Sequence, residues 1–281
     1  MKNTKVCAIV LNWNDGEATA KCMESILAGT IVPAVIIVDN ASTDGSRVLL
    51  ESRFPGLTIL KNKKNLGFSG GMNVGIRFGT SNGADFFWLL NNDTVVEREA
   101  LEELLGVARE HPECGLFSPV IYTEDGKALW FLGGRISYLR MRATHLLTTS
   151  EEKEVSSSEY LTGCALFLSR TLVEKINLLD ESYFLYYEDV AYSLSARRAG
   201  FSPSVVRKAK VFHGEKSRTN PEKTYWLVRS GIHFFRVESP WYWRPWIETL
   251  LLLRKIKNTL DLFLSPTPIA REVKRAYTDA S

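Results

Sequence analysis

The sequence predicts an α/β protein with a doubly wound, mostly parallel sheet and helices on both faces. Three observations predict it. Short apolar runs at 6–11, 34–38, 57–60 and 86–90 are bounded by polar residues and read as buried strands. Helical patterns at 16–28, 44–53, 70–79 and 97–110 fall between and after them, the order of a parallel sheet with crossover helices. Each strand is followed by Asp, Asn and Gly residues, on the sheet edge where such folds hold ligands.

In chain order, strand 6–11 runs into Asn12-Trp13-Asn14-Asp15, and strand 34–38 into Asp39-Asn40-Ala41-Ser42-Thr43-Asp44-Gly45. Asp44 and Ser42 are both suited to cap the helix that follows. Strand 57–60 leads to Asn62-Lys63-Lys64-Asn65-Leu66-Gly67 and a glycine-rich helix start, Gly67 to Gly75. Strand 86–90 stops at Asn91-Asn92-Asp93. The alternation then breaks. Segments 116–122 and 165–168 read as strands, 150–158 as an exposed polar loop, and 188–199 as a short helix. A basic strand, 205–212, ends at His213. From 246 to 263, Trp246, Leu250, Leu253, Ile256, Leu260 and Phe263 recur at steps of three and four with Arg254, Lys255 and Lys257 interleaved. This amphipathic helix suits either a core or an anionic bilayer surface.

With 281 residues, 45% apolar and 24% charged, the chain is neither disordered nor fibrous and buries a sizeable core. Its charge is uneven. Residues 1–206 hold 20 Lys and Arg against 25 Asp and Glu, whereas 207–281 hold 15 against 7. The basic end is expected to face an anionic partner, but no nucleic-acid recognition motif accompanies it. Cys7, Cys22, Cys114 and Cys164 form no C-x-x-C pair and are expected to be buried thiols in a reducing compartment. The first apolar run is too short for a signal peptide, and no run reaches the length of a spanning helix. The protein is expected to be cytoplasmic.

Several residues suit chemistry. Asp93, at a strand end, is either a ligand for a hard divalent cation or an Asx turn or cap. Asp39 could accept a hydrogen bond from a base or a ribose. The glycines could admit a phosphate to a helix start, although neither nucleotide fingerprint is spelled out. Gly67-Phe68-Ser69-Gly70-Gly71 does match G-x-S-x-G, so a serine hydrolase using Ser69, Asp189 and His213 is one alternative. A non-catalytic nucleotide-sugar binder is another. Glu188-Asp189, behind Tyr183 to Tyr187, suits a general base or simply an acidic helix start.

Taken together, the motifs resemble the family 2 glycosyltransferases of GT-A (Rossmann-like) fold, most closely their bacterial rhamnosyltransferase-like branch. The resemblance is carried by Ile9 to Asn14, Val38 to Ser46, Asn65 to Gly75, Leu89 to Asp93, Leu161 to Cys164, and Leu179 to Glu181 with Phe184, Glu188 and Asp189. It covers about residues 5–240. It implies a GT-A catalytic domain at 1–215, with a nucleotide-sugar half (about 1–95) and an acceptor half (about 96–215), and a helical C-terminal extension at 216–281. It also implies an inverting transfer from a nucleoside-diphosphate sugar, dTDP-rhamnose or a UDP-sugar, to a saccharide or lipid-linked saccharide in cell-surface polysaccharide synthesis.

The same resemblance makes Asp189 the catalytic base, with Glu188 beside it. It makes Asn12, Asn14, Asp39, Asn65, Gly67, Gly71, Asn73 and Asn92 donor-binding residues, Asp39 reading the nucleobase. Asp93 and His213 become contacts for Mg2+ or Mn2+. The first position of the family's Asp-x-Asp is Asn91 here, a weaker metal ligand than a carboxylate. Segment 241–264 is expected to touch the inner face of the cell membrane peripherally.

Overall fold

The structure, a computed structural model, describes residues 4–148, 153–214 and 220–280. The alternation runs β1 (Val6–Asn12), α1 (Gly16–Leu27), β2 (Ala34–Asp39), α2 (Ser46–Arg53), β3 (Thr58–Lys61), α3 (Gly67–Ser81), β4 (Phe86–Asn91), β5 (Thr94–Val96) and α4 (Ala100–Glu110). Then come β6 (Leu116–Thr123), β7 (Leu129–Phe131), β8 (Gly134–Ser137), β9 (Arg142–His145), β10 (Val155–Ser157), β11 (Ala165–Ser169), α5 (Arg170–Ile176), α6 (Glu188–Arg198) and β12 (Ser204–His213). The chain closes with α7 (Pro221–Glu238), a 3-10 turn (Trp241–Trp243), α8 (Arg244–Leu264) and α9 (Pro268–Asp279).

The main sheet has the order β10-β12-β6-β11-β4-β1-β2-β3, with β5 added to β12 and β7 to β6. Its β3-β2-β1-β4 half is parallel throughout. Beyond β4 it is mixed, because β11 runs antiparallel to both β4 and β6. The parallel register sets Asn12 beside Asp39 and Leu11 beside Asn91, so the carboxyl ends of β1, β2 and β4 meet on one edge.

Two local expectations change. The helix expected from 97 begins at Ala100, because Thr94–Val96 extend and pair with β12. Within the expected polar loop at 150–158, Val155–Ser157 form an edge strand on β12, and 149–152 lie outside the described residues. All four cysteines are buried thiols outside any disulfide, as their apolar settings imply.

The glycines of α3 explain how that helix sits. Gly71, Gly75 and Gly79 lie on one face and meet Leu11, Ile9 and Cys7 of β1. A Cβ at Gly75 would fall 2.4 Å from Ile9 Cγ2, and one at Gly71 would fall 2.4 Å from Leu11 Cδ1. This stretch is chiefly a close helix–strand contact. Helix propensity favours Gly75→Ala by about 1 kcal/mol. Overpacking against the fully buried Ile9 costs about 1–3 kcal/mol. Gly75→Ala is therefore expected to lower the urea midpoint with an unchanged slope; a raised midpoint would refute the packing argument.

The C-terminal helices divide their apolar residues. Phe234 and Phe235 of α7 are buried in the same core as the sheet. In α8 the inward side chains are Ile247, Leu251 and Asn258. The stripe formed by Trp246, Leu253, Ile256, Leu260 and Phe263 is exposed. Of the expected stripe, Leu250 alone packs against the core, and the other five side chains face away from it.

Candidate active site

A cleft of about 390 Å³ opens at the carboxyl ends of β1, β2 and β4. These strand ends supply Trp13, Asn14, Asp15, Asn40, Asn91, Asn92 and Asp93. The β3–α3 loop adds Asn65, and the start of α3 adds Gly67 and Phe68. Phe184, Leu185 and the first turns of α7, with Lys223 and Trp226, complete the wall.

Asn40 organises the loop side. Its Nδ2 donates to Asn65 Oδ1 (2.8 Å) and to the Gly67 carbonyl (3.0 Å), while its Oδ1 accepts from Leu66 N and Asn62 Nδ2. Gly67 has φ +72°, and a Cβ there would strike the Phe184 carbonyl at 2.3 Å. That carbonyl accepts from Phe68 N at 2.7 Å. Glycine is required here both by conformation and by contact. Phe184 in turn stacks on Trp226 at 4.3 Å, which joins α3 to α7 across the cleft.

Asn14, Asn65, Gly67, Asn92 and Asp93 line the cleft as the sequence suggests. Asn12, Asp39, Gly71 and Asn73 do not line it. Asn12 is fully buried, donating to Asp39 Oδ1 and Ser42 Oγ and accepting from Thr19 Oγ1. Asn73 exchanges hydrogen bonds with the Leu179 backbone and donates to Glu181. These polar groups hold the strand ends and the 179–181 turn in place, because buried amides must be paired. Trp13, Asn40, Phe68, Phe184, Lys223 and Trp226 line the cleft in addition to the residues the sequence points to. Asn40 carries a sequence signal, following Asp39 at a strand end. Lys223 and Trp226 carry none.

Asp93 lies in the turn between β4 and β5. Pairing of His213 with Thr94, and the Gly214 N–H donated to the Asp93 carbonyl (2.8 Å), bring β12 to it. His213 Nε2 is 3.3 Å from Asp93 Oδ1. Burial disfavours both charges, yet each supports the other. His213 and its neighbours hold the Asp93 carboxyl below its ordinary range, and Cys164 with Asp93 raises the His213 imidazole above its own. Lys223 adds positive charge near Asp93.

No cluster of three or more His, Cys, Asp or Glu suited to a metal exists among the described residues. Asp93 and His213 nonetheless fit a divalent ion that takes its remaining ligands from a substrate. Asp93 Oδ1 is buried and faces His213 Nε2 with no other polar partner among the described residues. The 3.3 Å gap suits adjacent ligands of one ion, which lie about 3 Å apart when each bond is about 2.1 Å.

Glu188 and Asp189 open α6, after Tyr186 and Tyr187, both at φ +67°. Such backbone is costly for tyrosine, about 1–2 kcal/mol each. α7 secures it: Ser230 Oγ donates to the Leu185 carbonyl and Tyr187 packs on Phe234. Asp189 Oδ2 accepts from Gly163 N (2.7 Å) and Oδ1 from Val190 N (2.8 Å). Glu188 is buried, with Oε2 unpartnered. Burial raises both carboxyls, and the Asp189 charge raises Glu188 well above its ordinary value. The two carboxyls titrate as a coupled pair. Gly163 lies between Asp189 and Phe68 of the cleft wall: a Cβ there would be 3.5 Å from Asp189 Cβ and 3.2 Å from Phe68 Cζ. The Asn91 N–H bond to the Cys164 carbonyl ties that segment to the end of β4.

The hydrolase alternative fails on geometry. Ser69 is fully buried inside α3 with an unpartnered hydroxyl, and His213 faces Asp93. A nucleophile needs an adjacent base and access to substrate.

A mixed sheet whose parallel half opens on an amide- and carboxylate-lined cleft is the arrangement also found in solved glycosyltransferases of GT-A fold. The fold is similar to that of GalNAc-T7 solved with UDP, GalNAc and Mn2+ (TM-score 0.69, 14% identity), covering 99% of this chain and 55% of that one. It is likewise similar to the mannosyltransferase PcManGT of Pyrobaculum calidifontis in complex with GDP-Man and Mn2+ (TM-score 0.62, 15% identity), covering 99% and 88%. The family model for glycosyl transferase family 2 matches residues 7–176, and the chain belongs to that family. In sequence it is 24% identical over 262 residues to the N-acetylglucosaminyl-diphospho-decaprenol L-rhamnosyltransferase of Mycobacterium tuberculosis, covering 84% of this chain and 85% of that protein.

Proposed function

We propose that this glycosyltransferase moves a sugar, with inversion, from a dTDP- or UDP-sugar in the cleft to a hydroxyl of a lipid-linked saccharide in cell-surface polysaccharide synthesis. One observation carries the reading: Asp93 lines the cleft, and Asp189 is separated from it only by Gly163 and the Phe68 ring. Residues 1–95 supply the donor half and 96–215 the acceptor half, with the extension from 216 closing the cleft through α7. The rhamnosyltransferase relative, named for a lipid-linked saccharide, supports a lipid-linked acceptor.

In the reaction, Asp189 accepts the proton of the acceptor hydroxyl while that oxygen bonds to the anomeric carbon. The bond to the diphosphate breaks on the opposite face, so one displacement inverts the centre. Asp93 and His213 would hold Mg2+ or Mn2+, which when bound supplies positive charge to the departing diphosphate. Lys223 adds charge of the same sign, and Asn40 keeps the 65–67 loop shaped around the donor. Asn12, Asp39, Gly71 and Asn73 support these contacts from behind the cleft lining.

A panel of nucleotide sugars, with and without Mg2+ or Mn2+, tests this reading. One dTDP- or UDP-sugar at hundredfold excess over its dissociation constant should raise Tm by about 5 °C or more, with the metal only. No shift and no hydrolysis with any donor would refute it.

A further inference from the structure

α8 has two apolar faces. One, with Ile247 and Leu251, is buried in the core. The other, formed by Leu253, Ile256, Leu260, Phe263 and Leu264, lies on the far side of the helix and is exposed, Phe263 at 86% and Leu264 at 78%. The preceding 3-10 turn extends it with Trp241 (78%) and Tyr242. Exposing a Leu or Phe instead of burying it forfeits about 1.5–3 kcal/mol, so a contiguous row of them marks a contact surface. No helix among the described residues is long and apolar enough to cross a membrane, which leaves docking rather than spanning.

The charges beside this face select its occupant. Arg244 and Lys255 are exposed and have no ion pair among the described residues. Arg254 and Lys257 line a hollow of about 540 Å³ between α8 and α9 that also admits Leu264 and Tyr277. The acidic residues of α8 are both engaged: Glu248 pairs with Arg236 and Asp261 with Lys257. The result is an apolar stripe, exposed aromatic residues at its start and net positive flanks. A second copy of this chain would bring the same positive charge to the contact and be repelled. A bilayer with anionic headgroups meets all three features.

We infer that the exposed face of α8, with the turn at 241–243, docks on an anionic lipid bilayer. This inference rests on the proposed function for its role, since it would hold the cleft near a lipid-linked acceptor, but its physical basis is independent of catalysis.

The test is flotation of the full chain with vesicles of phosphatidylcholine alone or mixed with phosphatidylglycerol. The wild type should float with the mixed vesicles, less so in high salt, and remain behind with phosphatidylcholine alone. The triple variant Leu253→Gln, Leu260→Gln, Phe263→Gln should reduce flotation roughly tenfold or more. It should keep its Tm and any donor hydrolysis, because these side chains touch neither core nor cleft. A wild type that does not float, or a variant that floats equally, would overturn the inference. So would a wild-type dimer made monomeric by the variant with flotation unchanged, which would assign the face to self-association. Flotation without any donor hydrolysis would leave the docking face standing and refute the proposed function alone.

Discussion

Asp189→Asn is expected to lower kcat by roughly 10²–10⁴-fold, the range lost when a positioned general base is removed. Donor-induced thermal stabilisation should survive, because Asp189 bonds to Gly163 and Val190 and does not line the cleft. Equal loss of kcat and donor binding would instead make Asp189 a structural residue. Glu188→Gln is the matched control. Glu188 is buried and does not line the cleft, so an amide of similar shape should retain most of the activity.

The pH dependence follows from the same pair. Asp189 must be ionised to act, and burial raises it, so the acid limb of the rate profile should lie above the ordinary aspartate range. For stability the sign is the reverse of the usual carboxylate. A carboxyl raised in the folded state contributes stability below its unfolded value and loses it as pH rises through the folded one. Glu188→Gln should therefore be at least as stable as wild type at pH 8 by urea denaturation. The comparison should move in favour of wild type as the pH falls toward 4, where the native Glu188 is fully protonated.

Asp93→Ala is expected to cost roughly 10²–10³-fold in kcat, comparable to removing one preorganised electrostatic contact from a reacting centre. It should also abolish the metal dependence of the donor thermal shift. Asp93 is the carboxylate that faces His213, and removing it leaves a buried imidazole without its counter-charge. The His213 imidazole should consequently titrate at lower pH in the variant, which NMR can follow. Metal-dependent donor binding that persists in Asp93→Ala would place the ion elsewhere.

Much of the fold is legible along the chain because its signals are local. An unbroken run such as Val6 to Leu11 cannot be solvated on either face, so it must be an interior strand. Strand order in a parallel sheet then carries Asn14, Asn92 and Asp93 to one edge. Glu188-Asp189 stands out as a carboxylate pair behind five residues rich in aromatics. Burial direction is not a local property. Asn12 and Asn14 differ by two positions at the same strand end, yet one is locked in a buried network and the other lines the cleft. Gly67 and Gly71 belong to one glycine-rich stretch. The first is shaped by the turn at Phe184, the second by the side chain of Leu11.

The amino-acid sequence by itself determined the α/β class, the strand-end location of the cleft and Asp93 as its acidic candidate, because periodicity and strand ends are properties of neighbours along the chain; Asp189 is marked as a base by the resemblance of the motifs. Only the tertiary structure decided that α7 closes the cleft with Lys223 and Trp226, that Ser69 is out of reach of substrate, and which face of α8 is left in solvent. Those outcomes depend on which surfaces of distant segments meet, and a helix with two apolar stripes does not itself specify which of them the core will cover.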